Sequence, residues 1–273
     1  MNEIIEEYRT LGIGLNPPAT AEQLQLLEDA LDCTLSDGLR ALYEDHNGDD
    51  KARTEGIYLP LRLMPVSEVI ETHHFVEEFG WASQGLRLFW YDGNSNYAGL
   101  YVVGPLEGRV CFVDHEEPDL APVYRTLHRF LDALLAGIKA DKDWYEFPRD
   151  YPALEPLAPS DAADDWAAAQ MLRPLFESAQ DAQEWINYAY CIMALTPPER
   201  TDSLLAFTYD EDFYVQERAC EVLGRRRYEP AVGRLAEVAA MKTANAPLMA
   251  RWALREIGTP EALRRLQEVE RVQ

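Results

Sequence analysis

Residues 86–114, LRLFWYDGNSNYAGLYVVGPLEGRVCFVD, restrict the fold more than any other stretch of the chain. Leu86–Tyr91 is aromatic and apolar, and Asp92–Ser95 holds turn residues that tolerate positive φ. Asn96–Val103 is rich in β-formers, and Pro105–Gly108 breaks the chain before Arg109–Asp114. The pattern predicts three short strands joined by two tight turns. Such a meander is a scaffold without chemistry of its own, so function has to be sought in what surrounds it.

The flanks carry helical periodicity. Ile4, Ile5 and Tyr8 are spaced for a helix within residues 1–15, which Asn16-Pro17-Pro18 ends. Gly12 and Gly14 lack the remainder of a dinucleotide fingerprint. Thr20 and Gln23 form a capping box, with Leu24, Leu27, Ala30 and Leu31 following on one face. Ser36 caps a second helix with Leu39, Leu42 and Tyr43 inward, and Asn47-Gly48 is expected to stop it in a left-handed turn. A polar loop at 49–56 leads to a strand at 57–64, with Leu59, Leu61 and Leu63 on one side and Pro60 marking an edge. Val66–Phe79 predicts a helix with Val69, Ile70 and Phe75 inward and Glu68, Glu71, Glu77 and Glu78 outward, ended by Gly80. Beyond the meander, an acidic loop at 115–122 precedes an amphipathic helix at 124–138 carrying Leu127, Phe130, Leu131, Leu134, Leu135 and Ile138. The expected class is α+β, with an antiparallel sheet covered by helices on one face.

The ordered set PPATAEQLQLLEDALDCTLSDGLRALYEDHNG, IYLPLRLMPVSEV, FWYDGNSNYAGLYV, GRVCFVDHE and LHRFLDALLAG resembles the SUKH superfamily, the Smi and Knr type of domain, over residues 15–140. Glu28, Leu31, Leu35, Leu39, Leu42, Asn47 and Gly48 occupy the pattern of that family's first two helices, and Ser36 stands where the family usually has Pro. Asp92–Leu100 resembles the family's turn and aromatic strand, and Gly108-Arg109-Val110 its hairpin exit. The resemblance implies a binding domain without catalysis or cofactors. Bacterial members are commonly immunity proteins that neutralise toxins, often nucleases; other members are regulatory interaction modules, so the fold alone does not name a partner.

The second half changes character. Residues 141–160 hold Pro148, Pro152, Pro156 and Pro159, too many for a helix or a central strand, and read as a linker able to pack its aromatics on the first domain. The domains expected are 1–145, a linker at 146–163, and a helical domain at 164–273. Within the last, Pro174 is expected to bend or split the first helix. Val215–Val238 aligns with Met249–Val269: Ala219 with Ala253, Leu223-Gly224 with Ile257-Gly258, Ala231 with Ala262, Leu235 with Leu266 and Val238 with Val269. This spacing resembles short HEAT-like helical repeats.

Charge narrows the partners. The chain carries a net charge of −23 over 273 residues, and it is uneven: up to Glu217 there are 14 Lys and Arg against 41 Asp and Glu, and from Arg218 onward 11 against 7. Such a field repels nucleic acid, anionic membranes and polyphosphates, and it draws basic proteins in. Arg225-Arg226-Arg227 reads as a complement to a helix end. No apolar run is long enough to span a membrane, and MNEIIEEYRT is acidic where a secretory signal is basic. Cys33, Cys111, Cys191 and Cys220 have no ligand spacing and read as reduced thiols, so the expected location is cytoplasmic.

No catalytic motif is present, and His46, His73, His74, His115 and His128 show no metal spacing. The candidate site is therefore a surface. Asp45, Asp49, Asp50 and Glu55 follow the second helix, Asp92 sits at the meander turn, and Asp114, Glu116, Glu117 and Asp119 follow its last strand. If these loops share a rim, Trp90, Tyr91 and Tyr97 are its apolar anchors. The opposing reading makes the aromatics core and the acids solvated loops. The expected function is non-enzymatic capture of a basic protein, a toxin domain in the leading case. The alternative is a regulator or scaffold whose repeats recognise an unrelated protein partner.

Overall fold

The structure is a computed structural model that describes residues 1–50, 57–116, 119–152, 158–242 and 245–272. Residues 51–56 of the expected polar loop, with Glu55, the site candidate Glu117, and the stretch 153–157 of the expected linker lie outside the described residues. The chain forms two compact units, Met1–Pro156 and Leu157–Gln273.

In the first unit, α1 (Asn2–Thr10), α2 (Ala21–Leu31) and α3 (Asp37–Asp45) precede a five-stranded antiparallel sheet, whose order is the chain order. Its strands are β1 (Arg62–Leu63), β2 (Leu86–Tyr91), β3 (Tyr97–Tyr101), β4 (Val110–Val113) and β5 (Pro122–Tyr124). Helix α4 (Val66–Glu78) joins β1 to β2, and α5 (Leu127–Lys139) follows β5. The capping box is present, with the Thr20 hydroxyl accepting from Gln23 N and the Gln23 side chain accepting from Thr20 N. The meander is β2–β4, and β1 is an edge as Pro60 implies.

The sheet is covered on both faces, one more than expected. Successive residues of a strand point to opposite faces. Trp90 meets Phe130 of α5 at 4.8 Å between ring centroids, whereas its neighbour Tyr91 stacks on Tyr97, which meets Phe75 of α4. All of Leu86–Trp90 is consequently buried. The start of the expected linker belongs to this core as well. Trp144 packs its ring on Phe112, Phe147 fills the space that Gly137 leaves on α5, and the Arg149 guanidinium lies over both Phe112 and Trp144.

Three further readings are corrected. The strand at 57–64 shrinks to Arg62–Leu63, and the expected alternation fails, since Leu61, Arg62, Leu63 and Met64 are all buried. On α4 the inward stripe is Val66, Val69, His73 and Val76. Phe75 falls off that spacing and is 39 % exposed. Finally, α3 ends at Asp45 with His46 extended, so Asn47-Gly48 is not its cap. Instead the Asn47 carboxamide accepts from Val66 N and caps α4, and Asn47 N donates to Pro17 O. Gly48 has φ +78°, and a Cβ there would sit 2.5 Å from Pro65 N.

The second unit is all helical. Helix α6 (Pro159–Ser178) runs through Pro174 without splitting, and α7 (Ala182–Leu195) follows, capped by Asp181. After a stretch of 3-10 turns at Pro198–Tyr209 come α8 (Phe213–Arg225), α9 (Val232–Ala239), α10 (Ala246–Ile257) and α11 (Pro260–Val272). Helix α8 packs on α10 and α9 on α11, so the two aligned segments are stacked helix pairs. Their aligned alanine, leucine, isoleucine and valine residues, from Ala219 and Ala253 to Val238 and Val269, are all buried. The aligned glycines differ in what they do. Gly258 takes a left-handed cap at φ +66°, whereas Gly224 lies inside α8, where a Cβ would sit 2.7 Å from Ala253 Cα. Arg226 donates to the carbonyls of Met193, Thr196 and Pro197 at the end of α7 and is no free basic run. Among the described residues no helix is long and apolar enough to cross a membrane, and the four cysteines are free thiols.

Two glycine substitutions separate these roles. Gly48→Ala is expected to cost at least about 2 kcal/mol in unfolding free energy, through positive φ and backbone overlap. Gly233→Ala in α9, where a Cβ meets nothing, is expected to be neutral or to stabilise by up to about 1 kcal/mol. Denaturant unfolding of both variants checks the pair.

Candidate partner-binding surface

The β2–β3 turn is built by one carboxylate. Asp92 Oδ1 accepts from Asn94 N at 2.6 Å and Asn96 N at 3.1 Å, and Oδ2 accepts from Asn96 Nδ2 at 2.6 Å. Gly93 and Ser95 take the positive φ values that the turn needs. Asn96 is fully buried, and its Oδ1 accepts from His115 N at 3.1 Å and lies 2.8 Å from His115 Nδ1. One side chain therefore ties the hairpin turn to the exit of β4. Asp114 accepts from Glu116 N, and Asp119 from Ala121 N, so both also shape backbone. The fields of Asp114 and Asp119 act on Arg149, whose pKa is lowered chiefly by burial.

The expected rim is thus partly real. Asp92, Tyr97, Asp114 and Glu116 gather at one end of the sheet, where the registers Arg62↔Tyr91, Tyr91↔Tyr97 and Tyr97↔Val113 place four residues in a row. Trp90 is 1 % exposed and belongs to the core, not to the rim.

The residues after α3 are a different matter. Asp49, 3 % exposed, is no surface acid: it accepts from Leu63 N at 2.7 Å and from the Tyr8 hydroxyl at 3.0 Å. Asp45 is engaged by Arg9 of α1 and by His46 Nδ1. Asp50 N donates to Gly14 O. These acids tie α1 to β1. Burial pushes the Asp49 carboxyl up to about 7, against the backbone and Tyr8 hydrogen bonds that lower it. Burial also lowers His46, so the 3.7 Å approach of His46 Nε2 to Asp49 Oδ1 is not a fully charged pair near neutrality.

Sequence reasoning missed the aromatic part of this end of the molecule. Phe75 and Phe79 are 39 % and 51 % exposed. Their centroids lie 4.5 Å apart, and both pack on Trp81, at 5.6 Å and 5.1 Å. Phe75 continues to Tyr97 at 6.4 Å, and Tyr97 to Tyr91 at 4.9 Å. The Arg62 guanidinium lies 5.3 Å from the Tyr91 ring centre and is paired with Glu68. The signal was present: Phe75 does not fit the spacing of Val66, Val69, His73 and Val76.

Residues 18–133 match the model of the SMI1 / KNR4 family (SUKH-1). These residues form a SUKH-1 domain. The match runs from α2 into α5, so the hairpin rim and the aromatic row lie inside the SUKH-1 domain, while α1 and the Trp144 segment lie outside the matched residues. No curated protein matches the chain. Among the described residues the SUKH-1 domain offers no group of three or more His, Cys, Asp or Glu placed to hold a metal ion.

The buried carboxyl gives a signed pH effect. A folded-state pKa raised from the ordinary range to about 7 means that the native state holds the proton longer, so Asp49 costs stability as pH rises through 4–7. Asp49→Asn removes that titration. Its stability relative to the parent is expected to rise between pH 5 and pH 8, by at most about 3 kcal/mol. Thermal melts of both proteins at the two pH values read the difference; a gap that does not change with pH contradicts the assignment.

Proposed function

We propose that this chain is a non-enzymatic binding protein of the immunity type, whose SUKH-1 domain captures a basic protein, a toxin domain such as a nuclease in the leading case, and inhibits it by occlusion. The observation that carries the reading is the tie from Asp92 through Asn96 to His115, which gathers the acidic turn and the acidic exit loop at one end of the sheet. Residues 1–156 hold 12 Lys and Arg against 29 Asp and Glu, a field that steers a basic protein toward this unit. Family membership supports a protein partner, and a reducing cytoplasm suits the four free thiols.

A second reading, recognition of an unrelated protein by the helix pairs, draws support from the exposed Tyr209, Phe213 and Tyr214 in the second unit.

Co-expression with a basic toxin-domain protein encoded beside its gene is the test. The chain is expected to abolish toxicity, with a Kd that weakens at least about tenfold between 50 and 500 mM salt. Glu116→Lys, at an exposed position whose side chain shapes no turn, is expected to slow association several-fold. Persistent toxicity, or an affinity indifferent to salt and to Glu116→Lys, contradicts the reading. Loss of binding in Tyr209→Ser with Glu116→Lys unaffected favours the helix pairs.

A further inference from the structure

Helix α4 turns two faces to its surroundings. Val66, Val69, His73 and Val76 are buried, while Glu71, Phe75, Glu78 and Phe79 are exposed side by side, at spacings of three and four residues. Exposed phenylalanines are ordinarily scattered; here two of them touch each other and rest on Trp81, which is 3 % exposed. The rings are therefore held in place before any partner arrives, which lowers the entropy cost of binding on them.

The row has an occupant of the same chemistry at one end. Arg62 lies over the Tyr91 ring and pairs with Glu68, the acid that opens the exposed side of α4. Two turns further along the same helix the arrangement recurs: aromatic rings of Phe75 and Phe79 beside Glu71 and Glu78. Neither of these acids has a basic partner among the described residues, whereas Glu77 is approached by His73 and His74. We propose that this second arrangement, Phe75 and Phe79 with Glu71 and Glu78, seats arginine side chains of the basic partner and prefers arginine to lysine.

The preference follows from shape. A guanidinium is planar and weakly hydrated, so it stacks on a ring while its fork of donors meets a carboxylate; an ammonium is a compact, strongly hydrated charge that gives up more water to reach a ring and has no plane to lay against it. Anionic occupants, whether nucleic acid or a lipid surface, meet the carboxylates and the acidic field of the unit. A second copy of this chain would set two surfaces of the same sign against each other. The proposal rests on the capture of a basic protein and adds to it the recognition chemistry.

Isothermal titration of the full chain with nona-arginine and nona-lysine peptides, equal in charge, tests it. The arginine peptide is expected to bind about five- to tenfold more tightly at 50 mM salt. Phe79→Ala should bring it down to the affinity of the lysine peptide, which should itself change little; circular dichroism confirms the fold. Glu71→Gln with Glu78→Gln, which keeps every ring, should weaken both peptides. Equal binding of the two peptides by the parent chain, or a preference that survives Phe79→Ala, overturns the arginine seat and leaves charge capture standing. No binding of either peptide at low salt overturns both. Self-association of the parent chain that Phe79→Ala abolishes assigns the row to a second copy and also overturns the proposal.

Discussion

At Asn47–Asp49 the chain crosses from the helical layer to the sheet, and three consecutive residues tie four elements there. Asn47 caps α4, Gly48 takes a conformation and a proximity to Pro65 that a side chain would disturb, and Asp49 binds Leu63 N and the Tyr8 hydroxyl. Tyr43 completes the crossing, its hydroxyl donating to Met64 O. The start of α4 is thereby fixed against the end of β1. Everything that α4 presents, including Phe75 beside Tyr97, follows from that position. The cost is a buried carboxyl with one oxygen lacking a hydrogen-bond partner, and its raised pKa is the electrostatic record of that burial.

Arginine solves a related problem in a chain so rich in acid. Three buried or half-buried arginines are satisfied by backbone carbonyls at helix ends. Arg87 donates twice to Leu31 O at the end of α2, Arg226 to carbonyls closing α7, and Arg251 to Ala239 O at the end of α9. Each neutralises the negative end of a helix dipole and fills orphan acceptors. Among the described residues, outer carboxylates such as Glu71, Glu78 and Glu116 have no such partners, and they set the sign of the surface.

Local signals made most of the fold legible. The Thr20–Gln23 capping box and the meander turns are decided by near neighbours in sequence, and the pairing of α8–α9 with α10–α11 is announced by the likeness of its two copies; each is found in place. Decisions made by distant contacts were not legible. Phe75 reads as core because it is apolar, yet the stripe that fixes α4 gives its inner position to His73. Asp49 reads as one of a run of loop acids, and only the arrival of Tyr8 and β1 makes it a core residue. The Asn47-Gly48 pair was read correctly as a special backbone position, but its partners are 17 to 19 residues away or on the far side of the chain break at Pro17. For the site, the Asp92 rim was visible as composition; the aromatic row was not, because its rings come from α4 and the hairpin together.

The surface proposed to meet a basic protein partner is the hairpin end of the SUKH-1 sheet with the adjoining side of α4. Site-specific photo-crosslinking in the native host tests this most directly, with a photoreactive amino acid placed at position 79, at position 107 in the turn at the opposite end of the sheet, or at position 209 in the second unit. The account predicts an adduct with a basic protein from position 79 and none from position 107. An adduct from position 209 with none from position 79 would contradict it.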